Sequence, residues 1–267
     1  MDRYLFILLV VWAFISLPAN ASTSCFQTQL GTQQCTVSVD LNQFTESAFQ
    51  MQEQSQWCWA ASIAMVFAYN GHYVDQARIV SEAYGTSLAN LPAYGSTMSA
   101  QLNRDWIDNS GREFRSRVNG LYDFQAGVFG LNNAGIVTSM ERGQPLIIGA
   151  LGHAVVLTSV TYFPTPFGPN IVAGEAFDPW PGRGYRSLSV PELTTVENGG
   201  GLLYAATVDV SSGGSNGIVA GPTPGAQSPI SSGGAGAMGL SWLLILAALA
   251  VIRVGRDIGR LSTLSLR

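Results

Sequence analysis

Apolar and polar residues follow two kinds of spacing along the middle of the chain. Apolar or small residues at helical spacing predict helices over residues 58–69, 74–84, 96–108 and 133–142. Short apolar runs bounded by turn residues predict strands over residues 146–150, 154–162, 171–177, 185–189 and 202–210. Because the predicted helices precede the strands, the pattern favours an α+β fold, with a helical N-terminal half packed on an antiparallel β-sheet.

Residues 1–21 have the pattern of a secretory signal. Arg3 precedes a long unbroken apolar stretch, and the segment ends in Ala19-Asn20-Ala21, the small-x-small order of a cleavage site. We therefore leave this segment out of the fold and expect an exported protein. The remaining chain divides into a predicted N-terminal extension (22–50), a main domain (51–210), a linker rich in Gly, Ser and Pro (211–236), a transmembrane segment (237–252) and a basic cytoplasmic tail (253–267).

The predicted transmembrane segment follows from length and charge. Residues 233–252 form an uncharged stretch of 20 residues, which is about 30 Å as a helix and matches a bilayer core. Arg253, Arg256 and Arg260 follow as a positive cytoplasmic flank, which orients the main domain outside. A buried core helix is the alternative, but the linker separates this segment from the main domain.

The charge of the main body argues against one class of partner. Residues 22–212 contain 8 arginines and 15 acidic residues, a net charge of −7, and the chain has no lysine. An acidic body disfavours nucleic acid as a partner. We interpret a short basic run, Arg104, Arg112, Arg115 and Arg117, as solvated surface. The three cysteines and two histidines are too scattered for a zinc site, so we expect no metal and no cofactor.

Three cysteines make an odd number, which is informative in an exported protein. Cys25 and Cys35 lie in two short segments of strand type around a turn, so a disulfide between them is sterically easy. Cys58 is left over. A lone cysteine is often a small apolar residue in a core. Cys58, however, begins a predicted helix, where the positive end of the helix dipole stabilises a thiolate.

The residues around Cys58 favour a nucleophile over a core cysteine. Trp57 and Trp59 flank the sulfur with bulk. Gln52 lies far enough upstream for a loop to turn back and direct its amide towards the sulfur. An amide in that place can donate a hydrogen bond to a developing oxyanion.

Two histidines are available as the base that a thiol nucleophile requires. His72 follows the predicted helix in a terminating turn, about 20 Å from Cys58 at 1.5 Å of rise per residue, which nearly excludes it. His153 lies where two apolar runs meet, and its small neighbours Gly152 and Ala154 leave room for another chain segment. A histidine satisfied within the core is the alternative for His153.

Asp178 is the candidate for the group that orients the base. It ends a predicted strand and precedes Pro179-Trp180-Pro181-Gly182, a rigid turn that carries an aromatic side chain. A carboxylate there can hold an imidazole in one tautomer and stabilise the imidazolium. An aspartate that only initiates the turn is the alternative.

These segments resemble the papain-like cysteine peptidases, especially the short bacterial branch with Gln-x5-Cys-Trp-Ala-Ala at the nucleophile. The resemblance covers about residues 51–210 and rests on Gln52-x5-Cys58-Trp59-Ala60, Gly152-His153-Ala154-Val155 and Asp178-Pro179-Trp180-Pro181-Gly182. It implies a papain-like fold with Cys58 as nucleophile, His153 as general base and acid, Asp178 as orienting group and Gln52 as oxyanion donor. Two positions depart from papain: Trp57 replaces a small residue, and Asp178 stands where asparagine is commoner.

The C-terminal tail has a looser resemblance of its own. Gly233-Gly234, the apolar span and the basic end resemble the GlyGly-type C-terminal sorting tails of Gram-negative bacteria. The resemblance implies delivery to the cell envelope and cleavage near the glycines by a rhomboid-like intramembrane protease.

The expected function is that of an exported or cell-surface cysteine endopeptidase, which hydrolyses peptide bonds through a thioester acyl-enzyme. Its expected partners are a protein or peptide substrate, the membrane through the C-terminal helix, and a processing protease. Two alternatives remain open. The same residues can transfer the acyl group to an amine, as in an acyltransferase or transpeptidase, or the domain can be a catalytically silent surface binding module.

Overall fold

A computed structural model describes residues 21–87 and 89–213 of the chain. The helices are α1 (Leu41–Gln43), which continues into a π-helical turn (Phe44–Ala48), α2 (Cys58–Tyr69), α3 (Gln76–Tyr84), α4 (Gly95–Leu102), α5 (Asn133–Glu141) and α6 (Val190–Leu193). The strands are β1 (Ser22–Gln27), β2 (Gln33–Ser38), β3 (Asp105–Ile107), β4 (Glu113–Asp123), β5 (Val128–Phe129), β6 (Leu146–Ala150), β7 (His153–Thr165), β8 (Gly168–Asp178), β9 (Gly184–Ser187) and β10 (Leu202–Ser212).

One antiparallel sheet connects all of these strands. Its main order is β1-β2-β7-β6-β10-β4-β3, with β5 paired to β4, and with β8 paired to both β7 and β9. The long strand β7 pairs with β6 near its start and with β2 farther along. The sheet therefore extends from the N-terminal hairpin β1–β2 through the centre of the domain to β3.

Side chains on neighbouring strand positions point to opposite faces of the sheet. On one face, Gly149 and Tyr204 line a cavity together with Met98 of α4. On the other face, Ile148 and Ala205 line a separate cavity with residues of α5. The sheet thus lies between α2 and α4 on one side and α5 on the other.

Helix α2 is the central helix of the domain. All of its residues from Trp59 to Tyr69 are buried, because it packs against β6 and β7, against α3 and α4, and against the π-helical turn. A helix that is apolar on every side belongs in such an interior position. It ends before Gly71, which adopts the left-handed conformation (φ 82°) that favours glycine. The helix predicted over residues 58–69 is confirmed.

The predicted separation of helices and strands is wrong. Strands β3, β4 and β5 lie between α4 and α5, and β1 and β2 precede every helix, so the fold is mixed. The missed strand β4 has the alternation of a half-buried strand: Phe114 and Ser116 are buried, while Glu113 and Arg115 are exposed. The arginines on its outer face belong to the basic run that was interpreted as solvated surface, and no strand was predicted there.

The predicted helix over residues 96–108 is also too long. Helix α4 ends at Leu102, and Asp105–Ile107 form strand β3 on the edge of β4. The Arg115 and Arg117 side chains both pair with Asp105 across these strands, at 3.2 and 2.7 Å. Hairpin pairing with the next strand along the chain therefore overrides the local helical pattern.

The predicted C-terminal transmembrane helix is not part of this fold. No helix of the described residues is long and apolar enough to cross a membrane. The predicted span at residues 237–252 lies outside the described residues, as do residues 1–20 of the predicted signal (1–21), most of the linker and the GlyGly tail.

Candidate active site

Cys58 is the first residue of α2 and is partly buried. At this position its backbone N–H has no partner within the helix, and no other acceptor for it occurs among the described residues. The indole N–H groups of Trp57 and Trp59 donate to the backbone oxygens of Ala89 and Leu91, at 2.9 and 3.1 Å. The two tryptophans thus hold the segment after α3 against the start of α2.

His153 is the first residue of β7 and follows a tight hairpin turn from β6. Ala150 pairs directly with His153 across that turn. The two connecting residues, Leu151 and Gly152, both have positive φ, at 53° and 78°. Such a two-residue turn matches the twist of the flanking strands. It fixes the imidazole at the end of the sheet that adjoins Cys58.

The imidazole of His153 lies between a thiol and a carboxylate. Its Nε2 is 2.7 Å from Oδ1 of Asp178, and the ring lines the same cleft as the Cys58 side chain. Burial lowers the pKa of His153, but the hydrogen bonds and charges of Asp178 and Cys58 outweigh it and raise the pKa from 6.5 to about 9. The arrangement therefore favours a protonated imidazole facing the sulfur.

Asp178 is the last residue of β8, and its side chain is fully buried. Oδ1 also accepts from the backbone N–H of Trp180 at 2.8 Å, and Oδ2 accepts from Nε of Arg186 at 2.7 Å. Burial raises the pKa of Asp178, but the hydrogen bonds from His153, Trp180 and Arg186 lower it overall, from 3.8 to about 2. A buried carboxylate with this many donors is charged at neutral pH.

Two residues that support the pair, Arg186 and Glu192, were missed at the sequence level, whereas Trp180 belongs to the predicted turn. Arg186 joins Asp178 to Glu192, whose Oε1 is 2.6 Å from the guanidinium. The Trp180 ring stands edge-on to the His153 ring, with the ring centroids 6.2 Å apart. The sequence signal that could have revealed Arg186 is the β8–β9 hairpin, because a short turn after Asp178 returns the chain alongside β8.

Gln52 lies in the loop before α2 and is 7% exposed. Its backbone N–H donates to the oxygen of Pro179, at 2.8 Å, which joins this loop to the turn after Asp178. Both hydrogens of its side-chain amide are used within the loop, by the oxygens of Gln54 and Ser55 at 2.9 and 3.0 Å. The amide must release one of these bonds before it can serve as an oxyanion donor, so that role stays a prediction.

His72 lies in a different part of the molecule. Its Nδ1 is 3.1 Å from Oδ2 of Asp108, and its ring stacks on Phe114 with the centroids 4.3 Å apart. Both His72 and Asp108 are buried. This second histidine–aspartate pair joins the end of α2 to the β3–β4 turn, with no cysteine beside it.

The other two cysteines form a disulfide, Cys25–Cys35. They are directly opposite each other in the β1–β2 pair. Cys58 is free. Among the described residues, no group of three or more His, Cys, Asp and Glu side chains is arranged to hold a metal ion.

A cleft with a volume of about 210 Å³ opens beside Cys58 and His153. Trp59, Met98 and Tyr204 form much of its wall, and one carboxylate, that of Asp123, also lines it. A cleft next to a thiol, an imidazole and a free backbone N–H can hold an acyl group at the sulfur.

Over residues 41–194, more than half of the chain, the sequence matches the family described as papain-like cysteine protease AvrRpt2. The chain belongs to this family. Membership makes the protein a papain-like cysteine protease, and therefore a hydrolase with a protein substrate. The matched range contains Cys58, His153 and Asp178. Among curated proteins, no sequence matches this papain-like protease.

Proposed function

We propose that this papain-like protease is an exported endopeptidase that cleaves peptide bonds through a thioester on Cys58. The observation that carries the proposal is the position of His153, whose ring is hydrogen-bonded to the Asp178 carboxylate and lines the same cleft as Cys58, which helps to raise its pKa. Because Asp178 engages Nε2, the other ring nitrogen, Nδ1, is left for the sulfur. Cys58, His153 and Asp178 then take the roles of nucleophile, base and orienting group in the proposed mechanism.

In the proposed first step, the Cys58 thiolate attacks the carbonyl carbon of the substrate and forms a tetrahedral intermediate. The free N–H of Cys58 donates to the oxyanion, and the amide of Gln52 is the second donor once it leaves its loop partner. The His153 imidazolium then gives its proton to the leaving amine. The C–N bond breaks, and the acyl group remains on sulfur as a thioester.

The second step releases the acyl group. Neutral His153 takes a proton from water, the resulting hydroxyl attacks the thioester, and the thiolate leaves as the carboxylic acid forms. Asp178, which stays charged and held by Arg186, stabilises the imidazolium in both steps. An amine in place of water at this step would yield a transpeptidation product.

Export to the cell envelope or surface is the second part of the proposal. Its support is the Cys25–Cys35 disulfide, since disulfides persist in oxidising compartments outside the cytosol. The signal pattern predicted over residues 1–21 agrees with that compartment. Processing near Gly233-Gly234 by a separate protease remains a prediction for a tail outside the described residues. Cell fractionation with a non-reducing peptide map tests export: a cytosolic protein with both thiols free would overturn it.

A peptide library read by mass spectrometry tests the proposed reaction. The full-length protein is incubated with the library in the presence and absence of an added amine acceptor, beside the Cys58→Ala variant. We expect cleaved peptides with free carboxyl ends from the wild type and none from the variant. Products carrying the amine would assign the protein to acyl transfer instead. Intact peptides throughout would overturn the proposed activity.

A further inference from the structure

Asp123 has no role in the proposed catalytic steps, yet it lines the cleft that holds Cys58 and His153. It is the last residue of β4, directly opposite Tyr204 of β10, and it is only 2% exposed. A carboxylate at such depth loses most of its hydration, so it requires compensating partners.

Few partners for Asp123 occur in the protein itself. Oδ1 accepts from the backbone N–H of Ala126 at 3.1 Å, within the turn to β5. Among the described residues, Oδ2 has no hydrogen-bond donor, and no arginine or histidine forms an ion pair with Asp123. All arginines that pair with a carboxylate do so elsewhere, with Glu82, Asp105, Asp108, Asp178 and Glu192.

The surroundings of Oδ2 are shaped by a glycine. Gly95 begins α4 and also lines the cleft. A Cβ atom at this position would stand 2.3 Å from Oδ2 of Asp123 and 2.7 Å from the Tyr204 ring. Only glycine therefore leaves the carboxylate in its place. The start of α4 adds the positive end of a helix dipole, which helps a buried carboxylate but leaves its lone pairs open.

The remaining wall of the cleft suits a long side chain with an apolar stem. Trp59, Ala93, Met98 and Tyr204 line the cleft together with Asp123, and most of the lining is apolar. Arginine and lysine combine methylene groups, which pack on such surfaces, with a cationic end that requires an acceptor. A neutral aliphatic side chain would fill the same space and leave Oδ2 without a donor.

We propose that Asp123 is a specificity residue, which binds the cationic end of a substrate arginine or lysine close to the scissile bond. The proposal rests on the proposed peptidase function, because the same cleft must receive the acyl part of the substrate. It gives a substrate class: peptides with a basic residue on the acyl side of the cleaved bond.

Paired peptides with arginine or citrulline test the proposal. Citrulline has nearly the shape of arginine but no charge, and it is placed in turn at each of the three positions before the scissile bond. For one position we expect kcat/KM of the full-length protein to favour arginine by about 10- to 100-fold, the range of a hydrogen bond between charged groups. Equal rates at all three positions would overturn the proposal.

Asp123→Asn is the decisive variant. Its side-chain oxygen can still accept from the Ala126 N–H, so the turn is retained while the charge is lost. We expect the arginine preference to fall to near unity, because kcat/KM for the arginine peptide falls towards that for the citrulline peptide. Glu113→Gln is the matched control, since Glu113 is exposed at the opposite end of the same strand. A preference that survives in Asp123→Asn, or is lost equally in Glu113→Gln, would contradict the assignment.

A labelling experiment separates this proposal from the proposed activity. Peptides that end in a thiol-reactive chloromethyl ketone carry arginine or citrulline at the selected positions, and the rate of alkylation of Cys58 is measured by mass. This rate depends on the cleft and the thiol, and requires no turnover. If the arginine peptide alkylates Cys58 faster than the citrulline peptide, and this difference is lost in Asp123→Asn, the site is supported even if no peptide is hydrolysed. Equal alkylation rates would overturn it.

Discussion

Replacing the side chain of Cys58 by the methyl group of alanine tests the chemical step separately from the stability of the fold. We expect Cys58→Ala to lower kcat by about 10⁴- to 10⁶-fold, because the proposed thioester can no longer form. Thermal unfolding should change little, since the side chain is small and only partly buried. Activity assays beside calorimetry check this prediction. Retained hydrolysis in Cys58→Ala would remove Cys58 from the mechanism.

The two histidines are expected to have opposite effects when each is replaced by alanine. His153→Ala should lose activity almost as completely as Cys58→Ala, because the two groups act as a unit. His72→Ala should keep the activity of the folded protein and lower Tm, since it leaves buried Asp108 short of one partner and removes the stack on Phe114. Specific activity and Tm, measured on both variants, give the comparison. Equal activity in the two would show that the base is misassigned.

The pH dependence of activity follows from the raised pKa of His153. Protonated His153 is the proposed donor to the leaving amine, so kcat/KM should fall as pH rises through about 9, with the apparent pKa belonging to the Cys58–His153 pair. Asp178→Asn removes the charge that raises this pKa while it keeps an oxygen to accept from Nε2. The alkaline limb should therefore shift to lower pH.

Proton NMR of the imidazole rings measures the same shift directly, because the chain has only two histidines. The His153 titration should move to lower pH in Asp178→Asn. Asp178→Ala should be less active than Asp178→Asn and more active than His153→Ala. An alkaline limb that stays in place in Asp178→Asn would show that Asp178 does not control the base.

Single residues differ in how far the sequence alone predicts them. Cys58, His153 and Asp178 could be selected because each is a reactive residue type at the end of a predicted helix or strand, and the structure brings the three together. Their catalytic roles stay predictions. Arg186 was missed although the short β8–β9 turn returns it alongside β8, whereas Asp123 could not be selected, because its position depends on the pairing of β4 with β10, which is distant in sequence.

The N-terminal hairpin gives a prediction about one pair of strands. The Cys25–Cys35 bond joins residues 10 apart in sequence, which is worth about 3 kcal/mol in the chain-entropy model. In Cys25→Ser/Cys35→Ala we expect faster hydrogen exchange confined to β1 and β2, with activity retained. The reason is that β2 pairs with β7 at Ser159–Tyr162, several residues from His153.

Hydrogen exchange followed by mass spectrometry, with Ser24→Ala as a control on the same strand, checks the hairpin prediction. Ser24 is exposed and adjoins the disulfide, so its replacement tests for a general effect of altering the edge strand. Exchange that spreads to α2, or a loss of activity, would show that the hairpin supports the site.

Whole helices and strands were predictable where local pattern and final packing agree. The helix at Cys58–Tyr69 and the strand at Leu146–Ala150 have continuous apolar character, and both form with the predicted bounds. Strand β4 was missed because arginines and a glutamate alternate with its buried residues. Strand β3 was taken for the end of a helix because its only strong partner is β4, which the local pattern does not reveal.

For the molecule as a whole, the proposed site depends on the docking of two layers. Cys58 belongs to a helix, and His153 and Asp178 belong to the sheet on which that helix packs. We therefore expect activity and tertiary structure to be lost together in a urea titration, with coincident midpoints for hydrolysis, tryptophan fluorescence and near-ultraviolet circular dichroism. Activity that is lost well before either optical signal would indicate local opening of the site instead.

The burial of α2 on every side has a consequence for the time before folding is complete. Cys58 begins this helix, whereas His153 and Asp178 stand on the sheet against which it packs, so the proposed nucleophile and base cannot meet before helix and sheet have packed together. On the proposed mechanism, an unfolded chain is therefore inert towards its neighbours and towards itself, and proteolytic competence arrives together with resistance to being digested.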